Sequence, residues 1–155
     1  PQIETPRGIA KIETWECSDI DFSGIGFGSA DYCASTGGDM GKDSLAYCRG
    51  KIINAAALYN TLALDGVWLD FKDAEGCRAE TEHVKSMGFK GRFAIHPDQI
   101  KPIHDAYNPT KEELEWAKGV LEESKTAGTG AFKFQGKMVD APVLERARLI
   151  ISRED

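Results

Sequence analysis

The sequence supplies neither a metal–thiolate cage nor a disulfide frame. Its four cysteines, Cys17, Cys33, Cys48 and Cys77, are scattered, with no C-x-x-C pair. The three histidines, His83, His96 and His104, share no ligand spacing, which excludes a zinc-finger pattern. Long hydrophobic runs are also missing, so no segment reads as a membrane span. Positive charge is in deficit, with 19 Lys and Arg against 25 Asp and Glu and a net charge of -6. That balance disfavours a generic nucleic-acid or anionic-membrane surface and leaves room for a local basic site for a phosphorylated cofactor. Reduced thiols fit the cytoplasm, with the mitochondrial matrix also allowed. An initiator Met and a recognisable leader are lacking too: the chain opens Pro1-Gln2-Ile3-Glu4, already inside a strand-like run, which reads as an N-terminal truncation.

What is present is the composition of one ordinary globular domain, 155 residues with 41% hydrophobic and 28% charged side chains. Strand-like runs occur at Gln2 to Glu4, Gly24 to Gly28, Gly66 to Phe71 and Arg92 to Ile95, each followed by a helix-patterned segment. Four β-α units result. Pro6 suits the first turn of a helix through Ile9, Ile12 and Trp15. Asp43 is placed to cap a second helix through Ala46, Ile53, Ala56 and Ala57, with Asn60 at its left-handed end. Asp73 is placed to cap a third, through Val84 and Met87, that stops at Gly88. Thr110 and Glu113 form a capping box for a helix lined by Leu114, Ala117 and Leu121. After residue 127 the character changes: glycines punctuate short extended stretches, Ala131 to Phe134 and Met138 to Val139, before a last helix from about Pro142. The expected division is therefore 1–127 for the β-α array with its final helix and 128–155 for an extension. Four β-α units make half of an eight-stranded barrel, with two open sheet edges.

Glu4 and Asp31 carry the chemistry that stands out. Each follows a short apolar strand, and successive parallel strands lie about 4.8 Å apart, so the two carboxylates can reach one cation. A hard ion such as Mg²⁺ takes oxygen ligands and keeps positions open for water or substrate. The plainer alternative is a solvated strand end at Glu4 and a turn or helix cap at Asp31. Gly24-x-Gly26-x-Gly28 invites a dinucleotide reading, but the third glycine of that fingerprint would fall on Asp31, whose charge opposes a pyrophosphate. Gly37 to Asp43 fails the phosphate-loop pattern at both ends. Asp70 is left to hydrogen bonding, and His96 reads as a hydrogen-bonded structural histidine. Asp140, just before Pro142, reads as an N-cap.

Taken in order, Ile3-Glu4-Thr5-Pro6-Arg7-Gly8, Phe27-Gly28-Ser29-Ala30-Asp31, Leu64 to Phe71, Gly88-Phe89-Lys90-Gly91, Ile95 to Ile100, Gly130-Ala131-Phe132 and Gly136 to Pro142 resemble the citrate lyase β-subunit-like and malyl-CoA lyase group of the HpcH/HpaI aldolase superfamily. The resemblance implies an α/β fold in which this chain is the C-terminal half, four β-α units, of a TIM-type (β/α)8 barrel, followed by an extension with a short β segment and a helix. It implies that Glu4 and Asp31 are Mg²⁺ ligands and that backbone amides around Ser29 and Ala30 hold a 2-oxoacid carboxylate. Ile95, His96 and Pro97 would lie near the CoA chain. Asp140 would be the acid/base carboxylate, acting in a neighbouring subunit of a homo-oligomer, a trimer or hexamer. The implied activity is Mg²⁺-dependent carbon–carbon cleavage of a malyl-CoA or citramalyl-CoA type thioester to acetyl-CoA and glyoxylate or pyruvate. A malyl-CoA thioesterase, a citrate lyase β subunit and an inactive half-barrel needing a complementary chain are the alternatives. The family's first half supplies an arginine for the oxoacid and basic residues for the CoA phosphates, and no residue here matches them.

Overall fold

In the computed structural model, which describes residues 1–15, 22–127 and 130–154, four short strands form one parallel sheet. Cys17 and Gly128 lie outside the described residues. The strands are β1 (Gln2–Ile3), β2 (Gly24–Phe27), β3 (Leu62–Asp65) and β4 (Gly91–Arg92), in the order β1-β2-β3-β4. The register pairs Ile3 with Phe27, Gly26 with Leu64, and Asp65 with Arg92. Because side chains alternate along a strand, that register sends Ile3, Ile25, Phe27 and Ala63 to one face, where all four are buried. Ile9, Ile12, Leu45, Cys48, Ile52, Val84 and Phe89 complete this core. The opposite face carries Gly24, Gly26, Leu62, Leu64 and Gly91, and Leu62 is half exposed. The ring of Phe93 lies over Gly26, where an added Cβ would stand 2.6 Å from it.

Helices follow each strand. After β1 come α1 (Pro6–Lys11) and a 3-10 turn (Ile12–Thr14); the Thr5 hydroxyl caps α1 by accepting from Gly8 N–H at 3.1 Å. After β2 come α2 (Ser29–Thr36) and α3 (Lys42–Leu58). After β3 comes α4 (Ala74–Met87), capped by the Asp73 carboxylate on Gly76 N–H and closed at Gly88. After β4 come a 3-10 turn (Pro97–Gln99) and α5 (Ile100–Tyr107). Asn60, behind α3, has φ 51°, the left-handed conformation expected of it.

Three expectations need correction. The third strand is Leu62–Asp65, and Gly66 to Phe71 is the loop behind it. A buried aspartate ends that strand and disguised it, while Val67, Trp68 and Leu69 imitate a strand in a loop. A short polar helix, α2, stands where only a turn or cap was expected; it holds two buried residues, Ser29 and Cys33, so its apolar period is too weak to read. Asp43 lies inside the first turn of α3, and Gly41 is the cap.

The chain divides into two compact units, Pro1–Tyr107 and Asn108–Asp155. In the second, α6 (Lys111–Ala127) packs on α7 (Ala141–Ile151) and on an antiparallel hairpin of β5 (Phe132–Phe134) and β6 (Lys137–Val139). Ala117, Val120, Val139 and Ala147 form its buried centre. Helix α6, grouped with the β-α array on sequence, thus packs with the extension. The capping box is present: Thr110 N–H donates to the Glu113 carboxylate at 3.0 Å and Glu113 N–H to the Thr110 hydroxyl at 3.1 Å. No described helix is long and apolar enough to cross a membrane.

Candidate functional site

All four strands are parallel, so the loops that follow them share one edge of the sheet. Glu4 follows β1 directly. The Gly28 N–H donates to Ile3 O at 2.8 Å, which sets Gly28 beside Glu4 across the two strand ends. A Cβ at Gly28 would stand 2.5 Å from Glu4 Cβ and 3.1 Å from Glu4 Oε2. Only glycine lets the carboxylate lie that close to the β2 end. Gly28 is also the N-cap of α2 and offers no capping side chain, so the first amides of the helix are left without an internal acceptor. Asp31 sits in that first turn, exposed as Glu4 is. Neither carboxylate has a hydrogen bond or ion pair within the described residues. Ser29 is buried, and its hydroxyl presses on Gly66, where a Cβ would be 2.1 Å from Ser29 Oγ.

The structure therefore sets Glu4 against Gly28, the residue that opens the helix carrying Ser29, Ala30 and Asp31. This donor set fits Mg²⁺: two accessible carboxylates with hard oxygens beside a strip of backbone N–H groups. No group of three or more His, Cys, Asp and Glu able to hold a metal occurs among the described residues. Glu4 and Asp31 would give such an ion two protein ligands and leave the remaining positions to water and substrate.

Ile95, His96 and Pro97 leave β4 at the same edge. Ile95 is exposed, and His96 Nδ1 accepts from Asp98 N–H at 3.2 Å, which places the proton of the neutral ring on Nε2. The His96 ring stacks on Phe71 at 4.6 Å and 25°. Asp70 accepts from Lys72 N–H at 3.1 Å, the hydrogen-bonding role expected of it, now within a loop. Asp140 lies in the second unit and caps α7, its Oδ1 accepting from Val143 N–H at 3.3 Å.

Sequence reasoning missed a buried charge cluster beneath this edge. Asp65, fully buried at the end of β3, accepts from Arg49 Nε and Nη2 at 3.2 and 3.1 Å and from Arg92 Nη2 at 2.7 Å. Arg92 Nε also donates to Gly66 O at 3.0 Å, and Arg92 Nη1 to Thr81 Oγ1 at 3.2 Å. Arg49 Nη1 stands 2.8 Å from Glu80 Oε1, at ion-pair distance but off a hydrogen-bond axis. A cavity of about 220 Å³ adjoins the cluster, lined in part by Met40, Trp68, Asp70 and Glu80. The usable signal was an aspartate closing the apolar run Leu62-Ala63-Leu64, because a charge at a core position requires partners.

Residues 1–97 match the profile of the HpcH/HpaI aldolase/citrate lyase family. The chain belongs to that family. It is 37% identical over 166 residues to the mitochondrial citramalyl-CoA lyase of Rattus norvegicus, covering 98% of this chain and 49% of the relative. It is 34% identical to the citrate lyase subunit beta of Escherichia coli K12, covering 99% of this chain and 52% of that one. Among solved structures, CitE from Mycobacterium tuberculosis in complex with magnesium, acetoacetate and coenzyme A superimposes with a TM-score of 0.85 at 36% identity. That match covers 98% of this chain and 59% of CitE. The chain thus spans about half the length of the curated relatives it matches. Its fold is the α/β fold of this family, a parallel sheet with helices.

Proposed function

We propose that this chain carries the metal- and oxoacid-binding part of a Mg²⁺-dependent lyase that cleaves a malyl-CoA or citramalyl-CoA type thioester to acetyl-CoA and glyoxylate or pyruvate. The observation that carries the reading is the placement of Glu4 against Gly28 at the start of the helix that carries Asp31, two unpartnered carboxylates and an uncapped helix start behind neighbouring strands. The names of the relatives, citramalyl-CoA lyase and citrate lyase subunit beta, and the magnesium and coenzyme A bound by CitE support it. The four parallel strands in sequential order support reading the β-α array as half of an eight-stranded barrel, with α6, the hairpin and α7 as the unit that follows it. Homo-oligomerisation and a cytoplasmic or mitochondrial-matrix location belong to the same proposal.

In this reading Glu4 and Asp31 hold the ion, and the Ser29 and Ala30 amides take the oxoacid carboxylate. Bound Mg²⁺ supplies positive charge where negative charge grows on the 3-oxygen as the C2–C3 bond breaks. The 3-hydroxyl gives its proton to water and becomes the carbonyl of the 2-oxoacid, while C2 leaves with the bonding pair as the acetyl-CoA enolate. Asp140, supplied by a neighbouring subunit, gives that carbon a proton and removes it in the reverse direction. Ile95, His96 and Pro97 contact the CoA chain.

The test is release of acetyl-CoA and 2-oxoacid from malyl-CoA and citramalyl-CoA, with and without a chelator. Release abolished by the chelator supports the lyase. Free CoA without acetyl-CoA would instead make the protein a thioesterase, and a folded chain with no turnover would make it a half-barrel that needs a complementary chain.

A further inference from the structure

Two loops that leave neighbouring strands, Trp68 to Asp73 behind β3 and Ile95 to Pro97 behind β4, are joined by one buried side chain. Gln99 is 1% exposed. Its Nε2 donates to Trp68 O at 2.7 Å, and its Oε1 accepts from Ile95 N–H at 2.9 Å. The partners fix which way the amide faces, since the flipped amide would set oxygen against carbonyl and NH₂ against N–H. Among the described residues no other hydrogen bond joins 67–73 to 94–98. Beyond the bridge, the rings of Phe71 and His96 stack across the same two loops, and Leu69, Ile95 and Ile100 are exposed around them.

We propose that Gln99 is a positioning residue that clamps the Ile95-His96-Pro97 turn to the Trp68–Asp73 loop and so presets the Phe71–His96 stack as a wall for the acyl-CoA thioester. The role in substrate binding rests on the lyase reading above; the clamp itself rests on the two hydrogen bonds. The chemistry of the position is narrow. It needs a donor and an acceptor at one reach, both satisfied out of water. Ionised glutamate keeps the acceptor for Ile95 and sets an oxygen against Trp68 O, protonated glutamate keeps both bonds, and methionine keeps the length with neither group.

Gln99→Met and Gln99→Glu, made in the full chain, test it by residue-resolved amide exchange and steady-state kinetics. In Gln99→Met, the Ile95 amide should exchange about tenfold faster, the fold-change expected for one lost buried hydrogen bond. The KM for the thioester should rise about fivefold or more with kcat within about twofold, and Mg²⁺ affinity should hold, because Glu4 and Asp31 follow other strands. Gln99→Glu should keep Ile95 protected, and its KM should rise with pH as the carboxyl ionises, since the acid form still donates to Trp68 O and the carboxylate loses that contact alone. Unchanged Ile95 exchange in Gln99→Met overturns the clamp. A joint fall of kcat, Mg²⁺ affinity and global protection in both variants overturns the positioning role in favour of general support of the fold. An inactive wild-type chain counts against the lyase reading alone, since Ile95 exchange in the two variants still decides the clamp.

Discussion

Carboxylates stand along one edge of this sheet in two contrasting states. Asp65, at the end of β3, is fully buried and bonded by two arginines, whereas Glu4 and Asp31, behind β1 and β2, are exposed and have no partner among the described residues. The same functional group serves opposite ends. A buried charge held by three arginine N–H groups costs much to disturb and has little left to offer a ligand. An exposed carboxylate with no partner adds little to stability and keeps its oxygens available. Position along the edge, set by which strand each residue follows, separates the framework from the proposed site.

The sharpest way to break this comparison is to exchange the two roles. Asp65→Ala should destabilise the protein by about 3–5 kcal/mol, since it strands two buried guanidinium groups; urea unfolding measures it. A loss below about 1 kcal/mol would mean that the arginines find other acceptors. Glu4→Gln and Asp31→Asn should each lower Mg²⁺-dependent turnover by about a hundredfold or more while moving stability by no more than about 0.5 kcal/mol. Large destabilisation with activity intact would reverse the assignment of site and framework.

Asp140 combines both behaviours, being a helix cap in the structure and an acid/base group in the proposal. Asp140→Ala should cost about 1 kcal/mol through the lost cap and also abolish turnover, whereas Asp140→Ser should keep the cap and still abolish turnover. Activity retained by the serine variant would leave Asp140 a cap alone. The smallest effect concerns Cys33, buried, with its Sγ donating to Asp39 O at 2.9 Å. Burial first, and the nearby Asp39 charge second, raise its pKa. The folded state then holds a proton that the unfolded thiol releases above about pH 8.5, so stability should decline as pH rises past that value. Cys33→Ala should flatten the decline between pH 7.5 and 9.5, read as the change in urea midpoint; an unaltered slope would assign the decline to other groups.

Much of the scaffold was legible because it is written in local chemistry. The Thr110–Glu113 box, the Asp73 and Asp140 caps and the left-handed Asn60 each depend on a few adjacent residues, and each occurs as read. The placement of Glu4 directly behind β1 was legible for the same reason, whereas Asp31, read as closing the second strand, lies in the first turn of α2. What escaped depended on distant partners. Asp65 belongs in a strand only because Arg49 and Arg92 arrive from 16 and 27 residues away. Gln99 lies in the Ile95 to Ile100 motif, but nothing nearby shows that its amide reaches Trp68, 31 residues earlier. The grouping of α6 with α7 depends on packing that a capping signal does not encode.

The contact between Phe93 and Gly26 reaches beyond this one chain. Since a Cβ at position 26 would come within 2.6 Å of that ring, the two positions form a single unit of volume shared between β2 and the residue behind β4. Relatives that carry alanine or serine at the first position should carry something smaller than phenylalanine at the second, so the pair should drift together over evolutionary time. In the laboratory, Gly26→Ala should be damaging alone and rescued by Phe93→Leu, which makes this pair a natural starting point for reshaping the face of the sheet.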